Sequence, residues 1–235
     1  MEEKKWFKLS SDQTAEELNT NTQDGLTQEE VNKRYEKFGR NELKAKPKKS
    51  LIQKFIDQFK DFMIIVLIIA AVVSGIVGVK QGEGMTDTFI ILIVVIVNAI
   101  IGVAQENKAE KSLEALQKLS DHAAKVIRNG AVTVIPAREL VPGDIVMLDT
   151  GDFVPADMRV VDSVNLKAQE ASLTGESVPV DKQSQSLEGE VGIGDRINML
   201  FSSSLVTYGR GQGIVDETGM NTEVGKIAGI INSTE

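Results

Sequence analysis

Two stretches of this chain run for eighteen residues each without a charge: FMIIVLIIAAVVSGIVGV at 62–79 and TFIILIVVIVNAIIGVAQ at 88–105. A helix needs about 20 largely apolar residues to cross a bilayer core, with a range starting near 17. Only eight residues, KQGEGMTD at 80–87, separate the two. A soluble domain in a chain of 235 residues has little left over with which to bury both. The pattern therefore predicts a transmembrane helical hairpin. A signal peptide fits worse, because a long polar region precedes the first stretch and no small-residue cleavage site follows it.

Basic residues set the orientation. Arg40, Lys44, Lys46, Lys48, Lys49, Lys54 and Lys60 crowd the approach to the first span, whereas the connecting loop holds one lysine and two acids. The positive-inside rule puts both ends in the cytoplasm and the loop outside, as expected of a multi-pass protein of the cell membrane. The run KAKPKKS reads as an ordinary topology signal near the lipid surface. Asn98, in mid-span, is expected to mark a face that touches another helix. The second helix does not stop at the membrane. ENKAEKSLEALQKLS follows Gln105 without glycine or proline, and Leu113 and Leu116 are three apart. Residues 88–119 would form one rod of about 48 Å at 1.5 Å per residue. That exceeds a core of about 30 Å, so its end should project into the cytoplasm as a stalk.

Composition excludes several chemistries. There is no cysteine, so no disulfide and no Cys-ligated zinc, and His122 is the one histidine. A formal charge of -8 argues against nucleic acid as a partner. The charge is uneven. Residues 1–60 carry 13 Lys/Arg against 11 Asp/Glu, and residues 106–235 carry 12 against 20.

The first sixty residues read as small helices. Thr14 with Glu17, and Thr27 with Glu30, have capping-box spacing, with Leu26 and Val31 placed as a hydrophobic staple. Val31, Tyr35 and Phe38 would share one face, and Gly39 would cap the end. From residue 123 to about 219 the chain reads as strands. Asn129-Gly130 between AKVIR and AVTVIPA is a hairpin signal. The clusters around Gly192–Gly194 and Gly209–Gly213 read as turns, not nucleotide loops, because neither opens a helix after a strand and no G-K-[ST] is present. Asp144 in VPGD and Asp157 in VPAD read as turn residues capping their own loops. His122 reads as a hinge or surface residue. NTEVGKIAGII would form a closing helix capped by Asn221 or Thr222, with Glu223 in its first turn. The fold class is thus an α+β membrane protein: a helical region at 1–60, a transmembrane hairpin with stalk at 61–120, and a mainly β domain at 121–235.

One turn in that domain has chemistry to explain. ASLTGESVPV sets Thr174-Gly175-Glu176-Ser177 between apolar flanks. A turn needs the glycine; it has no need of the glutamate. An exposed carboxylate ionised at neutral pH can accept a proton. The glycine lets the backbone approach another surface and adopt strained dihedrals without a Cβ penalty. The two hydroxyls can bond backbone or phosphate oxygens.

In order and spacing, GLTQEEVNKRYEKFGRNEL, NAIIGVAQENKAEKSLEAL, VPGDIV, GDFVPAD, SLTGESVPV, NMLFSS and TEVGKIA resemble the P-type cation-transporting ATPases. The form of the first region and NAIIGVAQENKAE look most like the calcium-transporting branch, particularly its bacterial members. Taken singly only LTGES is specific; the ordered set, which covers nearly the whole chain, is very specific. The resemblance implies that the β domain is an actuator domain. A catalytic aspartate elsewhere would take the γ-phosphoryl of ATP, and the actuator would rotate to bring Glu176 to the aspartyl phosphate. There Glu176 would align a water for in-line attack and accept its proton, while Thr174, Gly175 and Ser177 shape the loop. Phosphoryl transfer asks a protein mainly for positioning and charge control, and magnesium on the partner domain would offset repulsion between carboxylate and phosphate.

The implied cofactors are ATP and magnesium in the complete protein, with none bound by this part. The implied partners are the lipid bilayer, the phosphorylation and nucleotide-binding domains of the same pump, and a transported cation, calcium foremost. No Asp-Lys-Thr-Gly-Thr motif is present and neither apolar run contains an acid, so these 235 residues alone are expected neither to hydrolyse ATP nor to pump. One departure bears on the ion: calcium pumps often carry a carboxylate just ahead of the first span, where this chain has Lys60 beside Asp61. Manganese, sodium or potassium, magnesium or proton transport remain alternatives, as does a membrane-anchored module that binds or regulates another pump.

Overall fold

The computed structural model describes residues 4–43, 49–82, 85–119 and 122–234, so the basic linker at 44–48 and Glu83 of the hairpin loop lie outside the described residues. The side chains of Leu113 and Leu116 lie outside them too. In chain order the helices and strands are α1 (Ser11–Glu17), α2 (Gln28–Phe38), α3 (Leu51–Gln58), α4 (Phe62–Gln81), α5 (Thr86–Leu119), β1 (Ala123–Arg128), β2 (Ala131–Pro136), β3 (Ile145–Asp149), β4 (Asp157–Gln169), α6 (Ala171–Thr174), β5 (Val180–Asp181), β6 (Met199–Leu200), β7 (Leu205–Glu217) and α7 (Glu223–Thr234). They divide into two compact units: Met1–Ala45 with Asp121–Glu235, and Lys46–Ser120.

The helical unit contains α3, α4 and α5. Helices α4 and α5 are each long and apolar enough to cross a membrane. Asp61 starts α4 by accepting the amide of Met63 at 2.9 Å, and Gly82 ends it in the left-handed region at φ 70°. Helix α5 runs for 34 residues, about 51 Å, so the rod read from sequence is continuous. Val95 and Ala99 are buried, and Asn98 is exposed within this unit. Ala99 packs because a small side chain lets two helices approach. Before the spans, α3 begins with a capping box, Ser50 with Gln53. Its Lys54 is buried and donates to Asn107 at 2.8 Å and Glu110 at 2.6 Å on α5. Lys60 donates to Asp57 at 2.6 Å, and Lys49 with Lys60 holds the Asp57 carboxyl down at about 2.

The second unit is built on one antiparallel sheet, in the order β2-β1-β3-β7-β4-β5 with β6 also on β4. Asn129 and Gly130 join β1 to β2 with φ of 50° and 71°, the two positive values that a two-residue hairpin requires. Strands β4 and β7 are 13 residues each and pair along most of their length, with irregularities that bend the pair. Gly209, Gly211 and Gly213 lie inside β7 rather than in the turn expected from their spacing. The reason is packing: a Cβ on Gly213 would stand 2.7 Å from Met158 Sδ, and one on Gly211 2.8 Å from Leu166 Cδ2. The main core gathers Val126, Leu140, Val146, Met158, Val160, Leu166, Leu200 and Val215.

The N-terminal helices are fastened to this sheet. Ser10, not Thr14, starts α1, in a capping box with Gln13; the buried Thr14 hydroxyl donates back to the Ser10 carbonyl. Thr27 caps α2 and Gly39 ends it as read. Leu26, Val31 and Tyr35 pack on Val141, while Phe38 is exposed and the buried third position is Arg34. Arg34 donates to the Pro142 carbonyl at 2.7 Å and Thr20 to the Gly143 carbonyl at 2.7 Å. Asn41 bonds the carbonyls of Ala137 and Pro155 and accepts from the Gly219 amide. Arg159, fully buried, donates to the carbonyls of Leu9, Val160, Ser184 and Asn198. Polar side chains thus satisfy the irregular backbone at this junction, which apolar packing alone would leave unpaired.

Candidate functional site: an exposed carboxylate on a capped turn

Helix α6 is a single turn that leaves β4. The Glu170 carbonyl accepts the amides of Leu173 and Thr174, each at 2.9 Å, and the Thr174 hydroxyl at 3.1 Å. Gly175 ends the turn in the left-handed region, φ 79°, with its amide on the Ala171 carbonyl at 2.9 Å. Nothing lies within 4 Å of where its Cβ would be, so the glycine serves the backbone conformation and not a close packing contact. The next amide, that of Glu176, donates to the Thr174 hydroxyl at 3.2 Å. Thr174 therefore joins both halves of the turn. Residues 175–179 are all exposed, with the Glu176 carboxylate among them. Of the four residues singled out from sequence, Thr174 and Gly175 build the turn, while Glu176 and Ser177 stand at its exposed end.

Behind the turn the surroundings are packed. Leu173 packs against a cluster of Trp6, Phe7, Met199 and Phe201. Gly194 lies against the Thr174 methyl, where a Cβ would stand 3.4 Å away. Lys182 places its Nζ 2.6 Å from Glu170 Oε1, and neither side chain has any exposure to solvent. Burial pushes the Glu170 carboxyl up and the Lys182 amine down, and each partner opposes the other's shift. Sequence spacing gave no sign of this pair, since an acid before a turn and a lysine after it look like solvated ends.

A second buried acidic group lies on the long strand pair. Asp157 does not cap its own loop, as its turn-like setting suggested. It accepts the Ser202 amide and the Glu223 amide, each at 2.7 Å, so it fixes the start of α7 together with Thr222, whose hydroxyl accepts the Gly225 amide at 3.0 Å. Burial raises the Asp157 carboxyl to about 6, against the lowering effect of those two amides. Asp216 is also buried. Desolvation, then Asp157 and Glu217, push it well above the usual carboxylate range, and Arg159 opposes them. Raised carboxyls favour folding most when protonated. Their contribution is complete below about pH 4, the unfolded value, and is lost as pH rises through about 6 and above. We expect Asp216→Asn to flatten the fall in Tm between pH 5 and pH 8; an unchanged slope would remove this pair as its source. Asp144 does cap its own loop, accepting the Val141 amide at 2.9 Å. His122 is exposed, with its ring 4.8 Å from that of Phe153. Among the described residues no three Asp, Glu or His side chains converge as a metal site.

This arrangement offers a carboxylate on a hydrogen-bonded, solvent-facing turn, in a chain that also has two helices of membrane length. Comparison with known proteins gives the class. Residues 118–232 match the P-type ATPase actuator domain, and residues 6–74 match the N-terminal region of cation transporters and ATPases. The chain belongs to the P-type ATPase family, of which it represents the N-terminal and actuator region. It is 51% identical over 229 residues to a calcium-transporting ATPase of Listeria monocytogenes, covering 97% of this chain and 25% of that protein. It is 47% identical over 235 residues to calcium-transporting ATPase 1 of Bacillus cereus, covering 98% and 26%. A cation-transporting ATPase of Synechocystis is 43% identical over 212 residues, covering 90% and 23%. The chain thus spans about a quarter of the length of these relatives.

Proposed function

We propose that this chain is the actuator-bearing part of an ATP-driven calcium exporter, and that Glu176 discharges its aspartyl-phosphate intermediate. The observation that carries this reading is the exposed Glu176 carboxylate on a turn held by the Thr174 hydroxyl and the Gly175 and Glu176 amides. Such a group can approach a phosphorylated surface on another domain, align a water and take its proton. Thr174 and Gly175 hold the turn's shape, and Ser177 places a second hydroxyl beside Glu176 at its exposed end. Functionally the chain divides into an N-terminal region at 1–60, a membrane hairpin with stalk at 61–120 and an actuator domain at 121–235. Both ends face the cytoplasm, and the continuous α5 passes actuator movement to the membrane. ATP and magnesium act in the phosphorylation and nucleotide-binding domains, so none of their chemistry is assigned to residues of this chain.

Calcium is favoured by the names of the relatives that match most of the chain. The test is ATPase activity of the complete pump titrated with calcium, manganese, sodium and potassium. Saturable activation by calcium, with no response to the other three, is expected; activation by manganese or an alkali cation alone would reassign the transported ion.

A further inference from the structure

The Glu170–Lys182 pair encloses the turn. Glu170 is the residue before α6 and Lys182 the residue after β5, so the eleven residues between them include the whole of Thr174–Ser177. Both ends are otherwise tied by backbone. The Glu170 carbonyl carries the three bonds that form α6, and the Lys182 amide donates to the Leu166 carbonyl at 2.8 Å. The side chains close the same foot a second time, Nζ to Oε1 at 2.6 Å, with Nζ 5.6 Å from the centre of the Phe201 ring. Among the described residues neither the two carboxylate oxygens nor the ammonium has any further hydrogen-bond partner.

Such an arrangement is a poor device for stability. Two charges taken wholly out of water must repay a large desolvation cost through one contact, and apolar residues of the same volume serve a core as well or better. A buried charge pair does supply direction, because each group has only one place where its charge is compensated. Here that direction fixes the separation and register of the two chain ends from which the turn projects. We propose that Glu170 and Lys182 are positioning residues for dephosphorylation, a clamp that sets where the Glu176 carboxylate stands when the turn meets the phosphorylated domain.

This inference rests on the assignment of Glu176 to phosphoenzyme hydrolysis, and its test separates the two. In the complete pump, Glu170→Leu with Lys182→Met replaces the pair by apolar groups, leaving no stranded buried charge. Phosphoenzyme formed from labelled ATP is measured first, then its decay after a chase with unlabelled ATP, beside Glu176→Gln. We expect the double variant to form phosphoenzyme normally and to lose it on the order of tenfold to a hundredfold more slowly, as a displacement of about 1 Å from the reacting geometry costs. Normal formation with normal decay would overturn the clamp, since the pair would then be replaceable packing. Loss of formation along with decay would also overturn it, by assigning the pair to folding alone. Slow decay in Glu176→Gln beside normal decay in the double variant rejects the clamp and keeps the reading of Glu176. Normal decay in Glu176→Gln rejects that reading and the clamp with it.

Discussion

Glu176→Gln in the complete pump is expected to leave phosphoenzyme formation intact and to slow its breakdown by about 10²–10⁴-fold, the contribution usual for a positioned general base. That corresponds to about 3–5 kcal/mol of barrier. The substitution is close to isosteric and removes the capacity to accept a proton. It should not disturb the turn, because the Glu176 bond to Thr174 is made by the backbone amide and the side chain is exposed. Equal thermal stability of the two proteins would confirm that the loss is chemical. Decay of labelled phosphoenzyme at the unsubstituted rate would end the proposed role. A matching loss of formation would place Glu176 in an earlier step.

The largest stability effect is expected at Asp144. Its carboxylate receives Arg128 Nε at 2.8 Å and Nη2 at 2.7 Å as a two-point pair, and the Val141 amide at 2.9 Å. Asp144 is fully buried and the Arg128 side chain nearly so. Asp144→Ala leaves the guanidinium uncompensated in the interior, where removal of one partner costs about 3–5 kcal/mol. For a unit of this size that lowers Tm on the order of 10 °C. Asp149→Ala supplies the contrast, because its pair with Lys125 at 2.8 Å is exposed on both sides and such pairs contribute about 0–1 kcal/mol. Thermal unfolding of the chain in detergent compares the two. Similar losses for both substitutions would contradict the importance assigned to burial.

Local signals carried far in this sequence wherever the physics is local. Uncharged length predicted α4 and α5, and the absence of glycine or proline after Gln105 predicted that α5 continues beyond its apolar run. Asn129-Gly130 specified its hairpin, and Thr27 and Gly39 marked the ends of α2, because each of these residues acts on backbone within four positions of itself. The same kind of reasoning failed where a rival lay close by. Thr14 has cap spacing, but Ser10 forms the capping box first and draws Thr14 into the helix interior. The glycines at 209–213 look like a turn from composition, yet backbone of β4 at Gly209 and Gly211, and β4 side chains at Gly211 and Gly213, occupy the space that their missing Cβ atoms leave.

By itself, then, the amino-acid sequence determined the membrane-length helices, the mainly β character of the remaining domain with its Asn129-Gly130 hairpin, and the contiguous motif at Thr174–Ser177. All of these follow from hydrophobic length, hairpin chemistry and a contiguous motif. The tertiary structure alone decided which charges are buried and with whom. Glu170 meets Lys182, Arg128 meets Asp144, and Arg159 reaches the carbonyl of Leu9 across a long stretch of chain. It alone also decided that the helices before residue 44 pack with the sheet that begins at residue 123. Burial is a property of what the rest of the chain brings alongside a residue, and a charged side chain carries no mark of it in its own neighbours along the sequence.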